Sequence, residues 1–220
     1  MGKPIRIDFV ADPGCPWCAI GAHSLVQAIN KVGADAQLTL FVRPFQINPD
    51  IGPQGELLAR HAVSKFGAAP EEVEAQRYAV AVQASERGFE INQGPESRIW
   101  NTADANRLLY WAGVESNQAL NLLLAFFRAN FTDGRSLSEH AVLIDCARKV
   151  GLDAERARSV LSSKQFEQET RDMEKQALVS GVVRVPTVVF DERHVVQGAQ
   201  PPQLYAQTIR DVMNGTLQQQ

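Results

Sequence analysis

The hydrophobic pattern at the start of the chain predicts a β-strand, a helix and a second β-strand. Residues 5–11 alternate apolar and polar positions with period two, and an Asp12-Pro13-Gly14 turn ends this strand. A helix is predicted from about Pro16 to Val32, with Gly33 as its C-cap. The run from Gln37 to Val42 favours a second strand. This order is typical of a right-handed parallel strand–helix–strand unit.

The pattern becomes helical between Gln54 and Ser180. This stretch is rich in Ala, Leu, Glu, Gln and Arg, and glycines and prolines divide it into about six or seven predicted helices. Pro70-Glu71-Glu72 marks one helix start, because proline fits the first helical position and acids suit the first turn. The apolar run from Ala119 to Phe131 predicts a buried helix.

The strand pattern returns near the end of the chain. Val185 to Phe190 and His194 to Gln197 are β-rich, and the short turn between them predicts an antiparallel hairpin. Pro201-Pro202 then opens a last helix that runs to about Met213. The order βαβ…ββα predicts an α/β protein with a thioredoxin-like fold and a large all-helical insertion. We assign residues 1–50 and 181–220 to the thioredoxin-like core, and residues 51–180 to the insertion.

Composition and charge exclude several classes of partner. The chain has 220 residues, 45% of them hydrophobic, and its net charge of −3 provides no basic surface for nucleic acid. No apolar run is long enough to span a bilayer, and Arg6 and Asp8 interrupt any apolar core of a signal peptide. We therefore expect a cytoplasmic protein without nucleic-acid or membrane partners, and the oligomeric state stays open.

Two of the three cysteines lie three residues apart, in a Cys15-Pro16-Trp17-Cys18 motif at the start of the first predicted helix. Side chains at this spacing share a helix face, so the two sulfurs can reach each other. The unpaired N–H groups and the positive end of the helix dipole favour a thiolate at Cys15. Pro16 suits the first turn because it lacks an N–H. We expect Cys15 to be the more exposed, attacking thiol and Cys18 to be the resolving thiol.

Other interpretations of the same residues stay open. Zinc binding would need two more ligands, and Cys146 and the four histidines do not pair at ligand spacing, so we predict no metal site. An inert pair of core cysteines is a second alternative. Cys146 itself lies in an apolar helical stretch and is expected to be buried. Asp12 is either a proton acceptor for Cys18 or a turn-forming residue, and His23 is expected on a helix face.

Five stretches of the chain carry a resemblance to a known family. They are Asp12–Gly21 (D-x-x-C-P-W-C-x-x-G), Arg43–Pro49, Asn101–Leu108 (N-T-x-x-A-x-R-L), Gly181–Thr187 (G-V-x-G-V-P) and Gly198–Pro202 (G-A-Q). In these stretches the chain resembles DsbA-family oxidoreductases of the FrnE-like group. That group is related to 2-hydroxychromene-2-carboxylate isomerases and kappa-class glutathione transferases. The resemblance spans almost the whole chain.

The resemblance implies that Pro186 is a cis-proline that faces the two cysteines, with Cys15 as nucleophile and Cys18 as resolving thiol. The residues expected around the substrate are Pro16, Trp17, Arg184 and Val185. Arg184 stands where the family pattern has glycine, and its charge is expected to favour the Cys15 thiolate or an anionic partner. The second cysteine pair of some relatives is absent, which argues against any disulfide-isomerase activity that needs two pairs.

The expected function is that of a thiol–disulfide oxidoreductase, which acts on protein or small-molecule disulfides and has no bound cofactor. Glutathione is a candidate co-substrate, and either glutathione or a thioredoxin-type reductant is a candidate recycling partner. A glutathione-dependent isomerase or transferase is the alternative, but such relatives are expected to carry a single Ser or Cys at position 15. The presence of both Cys15 and Cys18 favours redox chemistry. A third alternative is a non-catalytic peptide-binding module that uses the groove beside Pro186.

Overall fold

Six strands and nine α-helices make up the fold of residues 4–33 and 36–216, which are the residues that this computed structural model describes. In chain order, the elements are β1 (Ile5–Ala11), α1 (Pro16–Val32), β2 (Leu38–Pro44), β3 (Glu56–Leu57), α2 (Leu58–Phe66), α3 (Pro70–Ser85), β4 (Arg98–Ile99), α4 (Ala103–Ser116), α5 (Ala119–Phe127), a π-helical turn (Arg128–Thr132), α6 (His140–Lys149), α7 (Ala154–Leu161), α8 (Glu167–Val179), β5 (Thr187–Phe190), β6 (His194–Gln197) and α9 (Pro202–Asn214). The outer ends of the predicted core, residues 1–3 and 217–220, lie outside the described residues.

The main sheet has four strands in the order β2-β1-β5-β6. β1 and β2 are parallel, with Phe9 opposite Val42. β5 is antiparallel to β1 and places Val188 opposite the same Phe9. β5 and β6 form the predicted antiparallel hairpin. The sequence placed the start of β5 at Val185, but the strand begins at Thr187, because Pro186 has no N–H to donate to a strand ladder.

Helix α1 has the bounds that the sequence predicts. Cys15 is its N-cap, Pro16 occupies the first turn, and no acidic side chain lies there to oppose a negative charge on sulfur. At the other end, Gly33 has a φ of +79° and donates its N–H to Ile29 O at 3.1 Å. The buried face of α1 includes Cys18, and α1 packs along α9. The first turn of this helix is therefore fixed at the carboxyl end of β1.

Seven α-helices and the π-helical turn fill the segment between β2 and β5, in agreement with the predicted six or seven helices. The segment is not all-helical, however. β3 and β4 form a two-stranded antiparallel sheet in which Glu56 lies opposite Ile99. Strands of two residues are too short to leave a hydrophobic period in the sequence, so the pattern did not predict them.

Most of the buried apolar side chains form one continuous cluster that joins the main sheet to the helices. Its largest fully buried members include Phe9, Leu25, Leu108, Phe126, Phe131, Phe190 and Tyr205. The cluster contains Cys15 and Cys18, so the dithiol turn belongs to the same packed unit. Within the described ranges, no helix is both long enough and apolar enough to cross a membrane.

Candidate functional site

The two motif cysteines lie in the turn from β1 into α1, one helical turn apart. Cys15 is 5% exposed and Cys18 is 0% exposed, so Cys15 is the more accessible of the two, as predicted. Neither is in a disulfide. The Cys15 sulfur is close enough to Cys18 to raise the pKa of the Cys18 thiol. The structure therefore holds two reduced sulfurs near each other, one beside the surface and one behind it.

Cys18 is held in its protonated form by its surroundings. Burial raises its pKa well above the ordinary value, and the charges of Cys15 and Asp12 act in the same direction. A thiol in such an environment does not attack unless a base removes its proton. The geometry suits a resolving thiol that stays inactive until a neighbouring group accepts that proton.

Asp12 lies directly beneath the dithiol turn and is buried. Its carboxylate accepts hydrogen bonds from the backbone N–H groups of Gly14 at 2.8 Å and Ile47 at 2.7 Å. Its backbone carbonyl accepts from the Cys15 N–H at 3.0 Å. The turn-forming role is therefore confirmed. Burial also raises the Asp12 pKa to about 6, so this carboxyl titrates near neutral pH and can exchange a proton there.

A cavity of about 290 Å³ opens beside Cys15. Pro16 and Trp17 line it together with Cys15, as expected of substrate-contacting residues, and Trp17 is 36% exposed. The far wall comes from α2, α3, β4 and the π-helical turn, through residues that include His61, Phe66, Val73, Arg98 and Asn130. We call this space the thiol groove.

The thiol groove is cationic, which the sequence did not predict. Lys65 and Arg98 line it, and neither has a carboxylate within ion-pair distance among the described residues. Lys65 donates to Asn48 Oδ1 at 2.5 Å, and Arg98 donates to two backbone carbonyls. Arg77 also lines the groove, but it pairs with Glu74. These positive charges come from three separate elements, so no local motif marks them.

Pro186 follows a cis peptide bond from Val185, as the resemblance implied. Its ring packs against Gly21 of α1, so closely that a Cβ at Gly21 would lie 2.8 Å from Pro186 Cγ. The backbone N–H and C=O of Val185 make no hydrogen bond to any other described residue. Arg184 is exposed, and its carbonyl accepts from the Thr187 hydroxyl at 2.7 Å. Val185 and Arg184 lie outside the lining of the thiol groove, and their contact with substrate stays a prediction.

Two other residues singled out in the sequence lie away from the groove. Cys146 is buried, its thiol contacts Ala125 O at 3.8 Å, and burial raises its pKa to about 11. The expectation that Cys146 is buried is confirmed. His23 is half-buried on α1 and stacks on Phe89 with ring centroids 4.6 Å apart. No group of three or more His, Cys, Asp or Glu side chains in the described ranges is arranged to hold a metal ion.

Comparison with known families gives a match over residues 6–210 to the model of the DSBA-like thioredoxin domain. Among curated proteins, the chain is 24% identical over 212 residues to YwbO of Bacillus subtilis, a protein without an assigned activity. That match covers 94% of this chain and 96% of YwbO. The similarity therefore extends along the whole thioredoxin-like unit and the segment between β2 and β5.

Solved structures with the same fold include several oxidoreductases. A probable DsbA oxidoreductase from Streptomyces coelicolor is 28% identical, with a TM-score of 0.88 over 98% of this chain and 92% of that one. The cytosolic disulfide reductase DsbM from Pseudomonas aeruginosa, solved with GSH, is 16% identical, with a TM-score of 0.68 over 95% and 99% of the two chains. A 2-hydroxychromene-2-carboxylate isomerase is 17% identical, with a TM-score of 0.64 over 96% and 95%. At their low identities, the last two share the fold alone.

Proposed function

Because the chain belongs to the family of DSBA-like thioredoxin domains, we propose that it is a thiol–disulfide oxidoreductase that works through Cys15 and Cys18. The observation that carries this proposal is the asymmetry of the two sulfurs. Cys15 caps a helix and lines the thiol groove, whereas Cys18 is fully buried behind it, and burial raises the pKa of its thiol. Attack and resolution require this division of labour, and a structural cysteine pair does not.

The reaction proceeds in two exchanges. The Cys15 thiolate attacks one sulfur of a substrate disulfide, forms a mixed disulfide and releases the first substrate thiolate. Cys18 then loses its proton to the Asp12 carboxylate, and its sulfur attacks Cys15. The Cys15–Cys18 disulfide forms while the bond to the substrate breaks, and the second substrate thiolate leaves. The protein dithiol has lost two electrons and the substrate has gained them. In the reverse direction, the same steps oxidise a substrate dithiol.

The thiol groove favours substrates with negative charges beside the disulfide. Lys65 and Arg98 supply positive charge without neutralising carboxylates, and Trp17 and Phe66 supply apolar surface. Glutathione and its disulfides combine carboxylates with a sulfur at short range. The solved structure of DsbM with GSH gives independent support for such a co-substrate in this fold. An extended protein segment is a further substrate, since the free backbone N–H and C=O of Val185 can pair with it.

A cytoplasmic location fits this proposal. DsbM, a protein of the same fold, is named as cytosolic. In a reducing compartment, a dithiol enzyme is recycled by glutathione or by a thioredoxin-type reductant, and its own disulfide is transient.

Substitution of each cysteine tests the proposal directly. Cys15→Ser is expected to abolish reduction of insulin disulfides. Cys18→Ala is expected to stop turnover and to accumulate mixed disulfides, because attack proceeds without resolution. Cys146→Ala is the matched control, and it is expected to keep nearly full activity because its thiol is buried away from the groove. Full activity of Cys15→Ser would exclude the proposed chemistry.

The alternative function is that of a glutathione-dependent isomerase or transferase. Such an enzyme needs the cationic thiol groove to hold glutathione, but it has no need of Cys18. The Cys18→Ala variant therefore separates the two functions. Retained turnover of a glutathione-requiring isomerisation in that variant, together with no reduction of disulfides by the parent protein, would establish the alternative.

A further inference from the structure

The outer edge of β2 borders a cavity of about 590 Å³ that plays no part in the proposed function. β2 is the last strand on its side of the main sheet, so one of its edges has no neighbouring strand. Residues 40–43 all line the cavity. Consecutive side chains of a strand point to opposite faces of the sheet, so a cavity that touches four in a row lies along the edge of the strand itself. No described residue lines both this cavity and the thiol groove.

The backbone of β2 presents unpaired hydrogen-bonding groups at this edge. The Phe45 N–H, just after β2, donates to the Ala11 carbonyl of β1 at 3.0 Å. Backbone groups alternate in direction along a strand, so the odd-numbered residues of β2 face β1 and the even-numbered residues face away from it. The N–H and C=O groups of Leu40 and Val42 therefore point outward, and none of the four has a partner among the described residues. Such groups are a template for pairing with another strand.

One side of the cavity is apolar. The Leu40 and Val42 side chains lie on the same face of the sheet, and α4 and α5 pack against β2. From these helices, Val114 and Leu120 line the cavity, and Val114 is 59% exposed. An extended chain beside β2 would direct every second side chain to this face. Apolar side chains fit there, because the described residues of α4 and α5 that line the cavity carry no charge.

The other side of the cavity is cationic. The guanidinium groups of Arg6 and Arg43 lie 5.0 and 5.4 Å from the ring centroid of Phe41, and all three residues line the cavity. Arg6 is engaged through all three side-chain nitrogens, which donate to Asp8 and Glu192. Arg43 donates only its Nε, to Asp8 Oδ1 at 2.5 Å. Its two terminal nitrogens have no partner in the part of the chain that the structure describes, so a carboxylate can bind there.

We propose that β2 is a docking edge for an extended segment of a partner protein that alternates acidic and apolar residues. The segment adds to the main sheet beside β2, and its backbone pairs with the outward N–H and C=O groups of Leu40 and Val42. Its apolar side chains face α4 and α5, and an Asp or Glu side chain binds Arg43. This inference goes beyond the proposed function, because the protein then binds a partner at one surface and exchanges thiols at another.

The experiment uses the full-length protein and the peptide acetyl-Thr-Val-Glu-Val-Thr-amide, in which valine and glutamate alternate as the cavity requires. Calorimetric titration measures the dissociation constant, and NMR measures the hydrogen exchange of single amides. Exchange at the Leu40 and Val42 amides is expected to slow about tenfold on binding, because their N–H groups become hydrogen bonded. The amides of Phe41 and Arg43, which already face β1, are expected to change little.

Modified peptides test the pairing and the charge separately. One N-methylated peptide carries methyl groups on both valine nitrogens, and a second carries one on the glutamate nitrogen, so each blocks one edge of the added strand. Only one edge can pair with β2, so one of these peptides is expected to lose binding and the other to keep it. The peptide with lysine in place of glutamate is expected to bind about tenfold more weakly, because it places a like charge beside Arg43.

Substitutions in the protein test the same contacts. Arg43→Met is expected to raise the dissociation constant about three- to tenfold, because it removes the cation that binds the glutamate. Val114→Glu, at an exposed position, is expected to weaken binding by a similar factor, because it adds a like charge to the apolar wall. Val114→Glu keeps the test decisive if Arg43→Met does not fold. Arg158→Met is the matched control, since this exposed arginine pairs with Glu155 of α7, outside the cavity.

Each remaining outcome overturns the inference. It fails if the peptide does not bind at millimolar concentration, if the two N-methylated peptides bind equally well, or if neither Arg43→Met nor Val114→Glu weakens binding. Displacement of the peptide by an equal concentration of acetyl-glutamate-amide would show that the cavity takes small anions, and would also overturn strand pairing. Reduction of insulin by the parent protein is measured separately, so the proposed function stands or falls on its own result.

Discussion

At the scale of single residues, Cys15 and Cys18 lie only three positions apart, yet their surroundings differ. The N-cap position leaves Cys15 outside the helix, at the edge of the thiol groove. One turn later, Cys18 is fully buried in the apolar cluster, and the buried Asp12 acts on its pKa. Two residues of the same type therefore differ in exposure, and burial and neighbouring charge raise the pKa of the inner thiol.

Alkylation of the reduced protein is expected to follow this difference. Cys15 should react first with iodoacetamide, because it is the most accessible of the three thiols and sits at a helix N-terminus. Cys18 and Cys146 should react slowly, since burial raises the pKa of each thiol. Mass spectrometry of peptides after a short exposure at neutral pH measures the order. Labelling of Cys18 or Cys146 at the rate of Cys15 would contradict the assigned roles.

At the scale of elements, the placement of α1 depends on a close approach between a helix and a loop. Gly21 lies one turn after Cys18, and its missing side chain lets the Pro186 ring pack directly on the helix. The loop before β5 can then lie beside the start of α1. Gly21 has an ordinary helical backbone, so the fold does not need the conformational freedom of glycine there. It needs the absence of a side chain, because the Pro186 ring occupies that space.

Gly21→Ala is expected to destabilise the protein, although alanine is the better helix former. The new Cβ would lie 2.8 Å from Pro186 Cγ, and overpacking of this kind costs about 1–3 kcal/mol. Gly113→Ala in α4 is the matched control, since its Cβ would meet only Ala119 Cβ at 3.6 Å. That variant is expected to be more stable by about 1 kcal/mol, through helix propensity. Denaturant unfolding measures both changes. A Gly21→Ala protein as stable as Gly113→Ala would remove the packing argument.

At the scale of the whole molecule, sequence and structure agree where the information is local. The strand–helix–strand opening, the bounds of α1 and the C-terminal hairpin follow from periodicity and from turn residues. The hydrogen bond from the Ile47 N–H to the Asp12 carboxylate joins positions 35 residues apart, and no period or spacing in either segment indicates it. The cationic character of the thiol groove arises in the same way, from α2, α3 and β4 together. The sequence therefore predicted the local elements and the position of the dithiol turn better than the surroundings of that turn.

The charge of the thiol groove makes a prediction about substrate affinity. Lys65→Met and Arg98→Met are each expected to raise the KM for glutathione disulfide about two- to fivefold, the factor expected from an exposed charge pair of about 0.5–1 kcal/mol. The kcat should change little, because neither residue contacts the sulfurs that react. Arg60→Met is the control, since Arg60 lies on α2 outside the groove lining.

In the parent protein, the KM should also rise with ionic strength, because salt screens exposed charges. Steady-state kinetics measure all of these values, and a KM that responds neither to the substitutions nor to salt would show that the groove does not select anionic disulfides.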